Sequence, residues 1–336
     1  MNNFKGNNIL VTGGTGFVGS HLVEELIKQH ANVITTYQTL NPRSYFFTQK
    51  LNKKVTMVNL DICNFDKVFE IVAKFQIDFI FHLAAQALVD VAYDNPKKTF
   101  ESNILGTINV LESARLFPKI KGIIIASSDK AYGKIKNPTF EVRNKHLDDR
   151  TSKVKYQETD PLRGDHPYEV SKSAADLISY SYFKTYHLPV VITRFGNIYG
   201  EGDLNFSRII PGIIASLINK ETLKIRSNGK YVRDYLYVKD VISGYLLLSD
   251  NIEKVKGEAF NFGSTETFSV IELINTIEKT LHKKINYKIM NTAKNEIPYQ
   301  SLDYSKIKKE LKWNPKYSLS TISKKIFKWY KSVNLN

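Results

Sequence analysis

The sequence predicts an α/β protein: a Rossmann-type doubly wound parallel sheet with a smaller C-terminal α/β substrate domain. Three observations predict it. Apolar runs of strand length alternate with amphipathic helical stretches through the first half of the chain. A glycine-rich loop, Val11-Thr12-Gly13-Gly14-Thr15-Gly16-Phe17-Val18-Gly19, joins the first run to the first helical stretch. The 336 residues, 42% of them hydrophobic, exceed what one core of roughly 250–300 residues usually encloses.

Taken in order, Asn8 to Thr12, Asn32 to Tyr37, Val55 to Leu60, Asp78 to Ala84, Gly122 to Ser127 and Pro189 to Phe195 read as strands. Between them Val18, Leu22 and Leu26, then Phe65, Val68, Ile71 and Val72, recur at helical spacing. Such βαβ units give parallel strands covered on both faces, with ligands at the strands' carboxyl ends. After about Gly200 strands shorten and turn residues multiply, as at Arg226 to Gly229 and Asn261 to Ser264. Phe268-Ser269-Val270-Ile271-Glu272 is a capping box with a hydrophobic staple to Leu273, so a helix starts there. A dinucleotide domain over 1–196 and a smaller substrate domain over 197–336 follow, with some strand and helix exchange between them. Lys134 to Gln157, charged and without periodicity, reads as a surface insertion beside the site, either a lid or a solvated loop.

Composition narrows the setting. A single cysteine, Cys63, excludes a disulfide scaffold or a cysteine-based zinc module and fits a reducing compartment, with the cytoplasm as the expected location. The longest apolar stretch, Phe79 to Val89, is broken by His82 and Gln86 and falls far short of the ~20 residues a membrane span needs. With no signal-peptide pattern either, no membrane partner is expected. The net charge of +15 is spread over lysines without an arginine-rich tract, which reads as a solvated basic surface and not a nucleic-acid face. The seven histidines lack ligand spacing, so no metal is expected.

In the loop, Gly13, Gly16 and Gly19 allow a tight turn, close approach of a pyrophosphate and close packing of the helix on the sheet. Phe17 and Val18 open that helix, whose free N–H groups suit phosphate. The adenosine side is less constrained. No carboxylate follows the second strand, where Thr35-Thr36-Tyr37-Gln38 stands with Arg43 beyond, so NAD and NADP both stay open. Thr36 is the candidate ribose neighbour. Arg43 is either a 2′-phosphate partner or a surface residue, and Asp61-Ile62 is either the adenine-edge partner or the cap of the helix beginning at Phe65.

Tyr168-Glu169-Val170-Ser171-Lys172 sets a phenol and an ammonium on one helical face. A phenol of pKa about 10 is too weakly acidic to serve as a base at neutral pH, and Lys172 with a cationic nicotinamide is expected to lower it.

The fifth strand ends Ala126-Ser127-Ser128-Asp129-Lys130-Ala131-Tyr132-Gly133. Taken with the glycine loop, His82-Leu83-Ala84-Ala85-Gln86, the Tyr-Lys segment, Arg194-Phe195-Gly196-Asn197-Ile198-Tyr199-Gly200, Arg233-Asp234-Tyr235 and Leu302-Asp303, it makes nearly the whole chain resemble the extended short-chain dehydrogenase/reductases, and among them the nucleotide-sugar 4,6-dehydratases. Most of these carry Asp-Glu where this chain has Asp129-Lys130, which is similar to the CDP-glucose branch. Gly164-Asp165-His166-Pro167-Tyr168 and the stretch from Gly202 to Pro211 strengthen that likeness. The longer insertion and Ala131-Tyr132-Gly133 depart from it, leaving nucleobase and sugar open.

The resemblance implies a tightly bound NAD or NADP regenerated at each turnover, with Leu83, Ala84 and Ala85 along it. It implies that Ser128 and Tyr168 hold and deprotonate the sugar 4-hydroxyl, and that the two residues after Ser128 run the elimination. Chemistry then asks for a base at C5 and an acid at the C6 hydroxyl, for which Lys130 and Asp129 are the candidates. Gln86, Asn197, Arg208 and Arg233 are the candidate substrate residues, the arginines because a guanidinium fork matches a diphosphate. The expected reaction converts a nucleotide-hexose, CDP-glucose favoured, to the 4-keto-6-deoxy sugar. A GDP-hexose 4,6-dehydratase or a 4-epimerase, which has no work for Asp129 and Lys130, is the alternative. A nonenzymatic dinucleotide- or nucleic-acid-binding protein is the remote one. The family also implies a homodimer through helices at Pro96 to Phe117 and Pro167 to Tyr186.

Overall fold

The computed structural model describes residues 4–134, 155–292 and 297–333. Seven parallel strands form the central sheet in the order β10-β6-β5-β4-β1-β2-β3. They are β1 (Asn8–Thr12), β2 (Asn32–Tyr37), β3 (Thr56–Asn59), β4 (Phe79–His82), β5 (Gly122–Ala126), β6 (Val190–Phe195) and β10 (Ala259–Phe262). Each lies within two residues of the strand predicted at its place, except β10. Asn261 to Ser264 was expected to be a turn, yet Asn261 and Phe262 close β10, which crosses from the C-terminal half to pair with β6. The turn-forming amide is buried and fully used there: Asn261 Nδ2 donates to the Tyr156 carbonyl (2.9 Å) and Oδ1 accepts from the Tyr132 hydroxyl (2.8 Å). Phe262 meanwhile stacks on Phe195 at 4.6 Å between ring centroids.

Alternation along each strand fills two cores, one per face. Ile9, Val11, Phe79, Phe81 and Ile124 pack toward the helices Phe17–Lys28 and Val238–Asp250; Leu10, Ile80, Ile123 and Ile125 pack toward Phe65–Lys74, Gly106–Leu116 and Pro167–Tyr186. The stretch expected as one helix from Pro96 to Phe117 is instead interrupted by a π-turn at Glu101–Leu105. Pro167–Tyr186 is continuous, with proline at its first turn.

The C-terminal half has a third core, with Ile210, Ile213, Leu273, Ile277, Ile322 and Ile326. It carries a small sheet in which β7 (Asn197–Tyr199), β11 (Thr267–Ser269) and β13 (Tyr299–Gln300) all pair with β9 (Val232–Tyr237), and a separate parallel pair, β8 (Leu223–Ile225) with β12 (Tyr287–Ile289). The capping box forms as read: Ser269 Oγ accepts from the Glu272 N–H and Glu272 Oε2 from the Ser269 N–H, starting the helix Val270–Leu281. The predicted insertion lies largely outside the described residues. Its C-terminal end is tied to the small sheet by a Tyr156–Leu302 bridge. Among the described residues no helix is long and apolar enough to cross a membrane.

Arg194 locks three elements of the N-terminal half. Its guanidinium makes a buried two-pronged contact with Asp176 (Nε 2.8 Å, Nη2 2.9 Å) and donates to the Tyr132 hydroxyl (2.7 Å), while Tyr132 lies under it at 4.9 Å. One side chain thus ties β6, the Pro167–Tyr186 helix and the turn after β5 together.

Candidate active site

The carboxyl ends of β1, β4, β5 and β6 lie side by side along one edge of the parallel sheet. At β1 the chain turns through Gly13 with φ +69°, where a Cβ would stand 2.9 Å from the Ala84 Cα. At Gly19 a Cβ would stand 2.4 Å from the Gly13 carbonyl oxygen, so the helix lies on the loop only because that atom is missing. The helix Phe17–Lys28 begins at Gly16 with no side-chain cap and no acidic residue in its first turn. Its leading N–H groups are therefore open to an anion, and the loop fits a pyrophosphate.

A buried relay backs this loop. Thr12 Oγ1 accepts from the Leu83 and Ala84 N–H groups (both 3.1 Å), so its proton goes to His82 Nδ1 (2.8 Å). His82 Nε2–H then donates to Thr107 Oγ1 (3.2 Å), which donates to the Asn103 carbonyl (2.7 Å) in the π-turn. Burial lowers the His82 pKa to about 3, so the ring is neutral.

The adenosine-side candidates separate. Thr36 is buried under the loop, its hydroxyl accepting from the Gly13 N–H (3.2 Å), so it supports the turn. Ile62 is buried in the core, with its carbonyl accepting from Asn109 Nδ2. Asp61 Oδ1 accepts from the Cys63 N–H, and the cap of the Phe65–Lys74 helix is Asn64, not Asp61. Arg43 is exposed in the stretch after β2.

After β5, Ser128, Asp129 and Lys130 form a tight turn. Ser128 Oγ donates to Asp129 Oδ1 (3.0 Å) and accepts from the Lys130 N–H (3.2 Å); Lys130 Nζ lies 3.6 Å from Asp129 Oδ2. Asp129 is buried, while Lys130 keeps part of its side chain in solvent. Tyr168 faces this turn from the second residue of its helix. Burial pushes its phenol up to about 12, the Asp129 charge adds to this, and Arg208 and a hydrogen bond with Ser128 pull the other way. Lys172 lies one turn further along the helix and is bonded to the sheet. Its ammonium donates to the Ala126 carbonyl (2.8 Å), and burial lowers its pKa to about 8 against the attraction of Asp176.

The substrate-side candidates are held as follows. Arg208, the residue before the helix Ile209–Asn219, pairs with buried Asp203 (3.2 Å). Arg233 donates to the Val232 carbonyl, and Asn197 Nδ2 to the Asp234 carbonyl (3.3 Å). Gln86 is held by Asn103, which accepts from its N–H (2.7 Å) and donates to its carbonyl (3.0 Å) and to Ser171 Oγ (2.9 Å). Asn103 was not predicted; a π-turn leaves no period in the sequence. Asp234 lay within a quoted motif, but its buried role holding Ser301 and Leu302, with a pKa raised to about 6 by burial, is visible only in three dimensions.

The chain is similar along nearly its whole length to known proteins. The family model described as GDP-mannose 4,6 dehydratase matches residues 10–326. CDP-glucose 4,6-dehydratase from Salmonella typhimurium is 30% identical, over 98% of this chain and 92% of that protein. The structure of UDP-glucose 4-epimerase from Thermotoga maritima with UDP-glucose superposes with TM-score 0.83 at 28% identity, covering 97% of this chain and 99% of the other. That of a dTDP-glucose 4,6-dehydratase from Streptomyces venezuelae, with NAD bound, gives 0.82 at 25%, covering 97% of each.

Proposed function

The chain belongs to the extended short-chain dehydrogenase/reductases, in their nucleotide-sugar 4,6-dehydratase and epimerase branch, and from that premise we propose that it is a nucleotide-sugar 4,6-dehydratase, with CDP-glucose the favoured substrate. The observation that carries this reading is the Asp129-Lys130 pair set beside Ser128 and opposite Tyr168 at the end of β5. Oxidation at C4 and its reversal need only Ser128 and Tyr168. Loss of water needs a base and an acid as well, and this turn offers one ammonium and one carboxyl group within 3.6 Å.

The glycine loop would hold the dinucleotide, NAD or NADP, through its open N–H groups. When bound, the dinucleotide supplies the electron acceptor and a positive charge. Tyr168 takes the 4-hydroxyl proton, with Ser128 aligning that oxygen. Once C4 is a ketone, C5 is acidic; after a proton passes from the Lys130 ammonium to the Asp129 carboxylate across their 3.6 Å contact, the neutral amine removes the C5 proton while the carboxylic acid protonates the departing C6 hydroxyl. Arg208 and Arg233 would bind the diphosphate, and Gln86, its backbone fixed by Asn103, is the candidate sugar neighbour.

The experiment is mass spectrometry of CDP-, GDP-, UDP- and dTDP-hexoses after incubation with the enzyme. Loss of one water with deuterium moved from C4 to the product methyl supports the reading. A product of unchanged mass establishes the 4-epimerase instead, which the Thermotoga likeness favours. Mass analysis of the dinucleotide released on denaturation decides NAD against NADP. Leu105, Leu116, Leu177, Tyr180 and Tyr186, exposed on the two predicted interface helices, support a homodimer, which sedimentation tests.

A further inference from the structure

Gln300 reaches the Asp129-Lys130 turn from the opposite half of the molecule. It lies on β13, in parallel register with β9 and opposite Arg233, and is 1% exposed. The strand is pinned by buried Asp234, which accepts from Ser301 Oγ and from the Leu302 N–H, both at 2.7 Å. Gln300 Nε2 donates to the Asp129 carbonyl (3.1 Å), and Gln300 Oε1 accepts from Lys130 Nζ. A primary amide has a donor at one end and an acceptor at the other. Here one end fixes the backbone of the acid residue and the other fixes the tip of the basic one.

Lysine has a long flexible stem, so its Nζ needs an external anchor to stay at a reacting carbon. We propose that Gln300 is the positioning residue for water loss, holding Lys130 and Asp129 in mutual register. This inference rests on the dehydratase reading. It assigns to a distant strand the geometry of the elimination, a step that oxidation at C4 does not require.

The test uses the holoenzyme and whichever of the four nucleotide-glucoses the wild type dehydrates. Gln300→Met keeps the length and volume of the side chain and removes both hydrogen bonds. Ser301→Ala loosens the same strand without touching the Asp129-Lys130 turn. For Gln300→Met we expect kcat to fall roughly tenfold to a hundredfold with KM changed by less than about threefold. Reduced nicotinamide should accumulate during turnover, visible by its near-ultraviolet absorbance, because C4 is still oxidised while water loss lags. Ser301→Ala should show no such accumulation, and thermal melting reports whether each variant is folded. Unchanged kcat in Gln300→Met, a slow variant without reduced nicotinamide, or equal accumulation in Ser301→Ala would each overturn the assignment. A wild type that removes water from none of the four substrates defeats the dehydratase reading and this inference with it; normal water loss by both wild type and Gln300→Met defeats this inference alone.

Discussion

The glycine loop after β1 and the turn after β5 are built by opposite means. The loop is nine consecutive residues, and what shapes it is missing atoms: at Gly13 and Gly19 a Cβ would run into backbone. The turn is set by present side chains brought from distant places, with Lys130 and Gln300 meeting across 170 positions. A steric cradle of backbone tolerates almost no change. A cluster of side chains can change one member at a time, and relatives of this fold whose names include dehydratase and epimerase illustrate that freedom.

The contrast can be broken experimentally, and the largest effect belongs to Tyr168, which faces the turn after β5. Tyr168→Phe should lower turnover by about 10²–10⁴-fold while the protein keeps its dinucleotide and its circular dichroism. Turnover within tenfold of wild type would remove the phenol from the chemistry.

Next comes the relay behind the loop. His82 is buried with its pKa lowered from 6.5 to about 3. Below pH 6.5 the unfolded chain takes a proton that the folded protein refuses until about pH 3, so stability is lost as pH falls through that window. The loss attributable to this ring should reach a few kcal/mol, at about 1.4 kcal/mol per pH unit. His82→Gln should flatten the melting-temperature profile between pH 6.5 and 4; an equally steep profile would show that other groups carry it.

In the glycine loop, Gly19→Ala puts a methyl 2.4 Å from the Gly13 oxygen and 2.7 Å from the Gly14 Cα. Overpacking of this kind costs about 1–3 kcal/mol, and the purified protein should contain little dinucleotide. Full occupancy would mean that the loop has more give than its backbone contacts indicate. The smallest effect is expected for Arg208→Ala, which should raise KM roughly tenfold with little change in kcat, as for loss of one charge-assisted contact. A fall in kcat alone would move Arg208 from binding to its influence on the Tyr168 phenol, which it now pulls downward.

What could be read from the chain follows the same division. The strand–loop–helix entry, the Tyr168–Lys172 helix and the Ser269 capping box are set by side-chain period, backbone sterics and hydrogen bonds between residues a few positions apart, all of which are written locally. The sequence by itself therefore determined the sheet's first six strands, the phosphate cradle and the identity of the residues in the turn after β5. Only the tertiary structure decided that Asn261 ends a strand and not a turn, that Lys172 bonds a strand carbonyl, and that Asn103 and Gln300 hold the groups around them. These follow from where β10 and β13 pair and where the π-turn lands. Pairing between segments a hundred or more residues apart is settled by the burial and hydrogen bonding of the whole molecule, and no local pattern announces it.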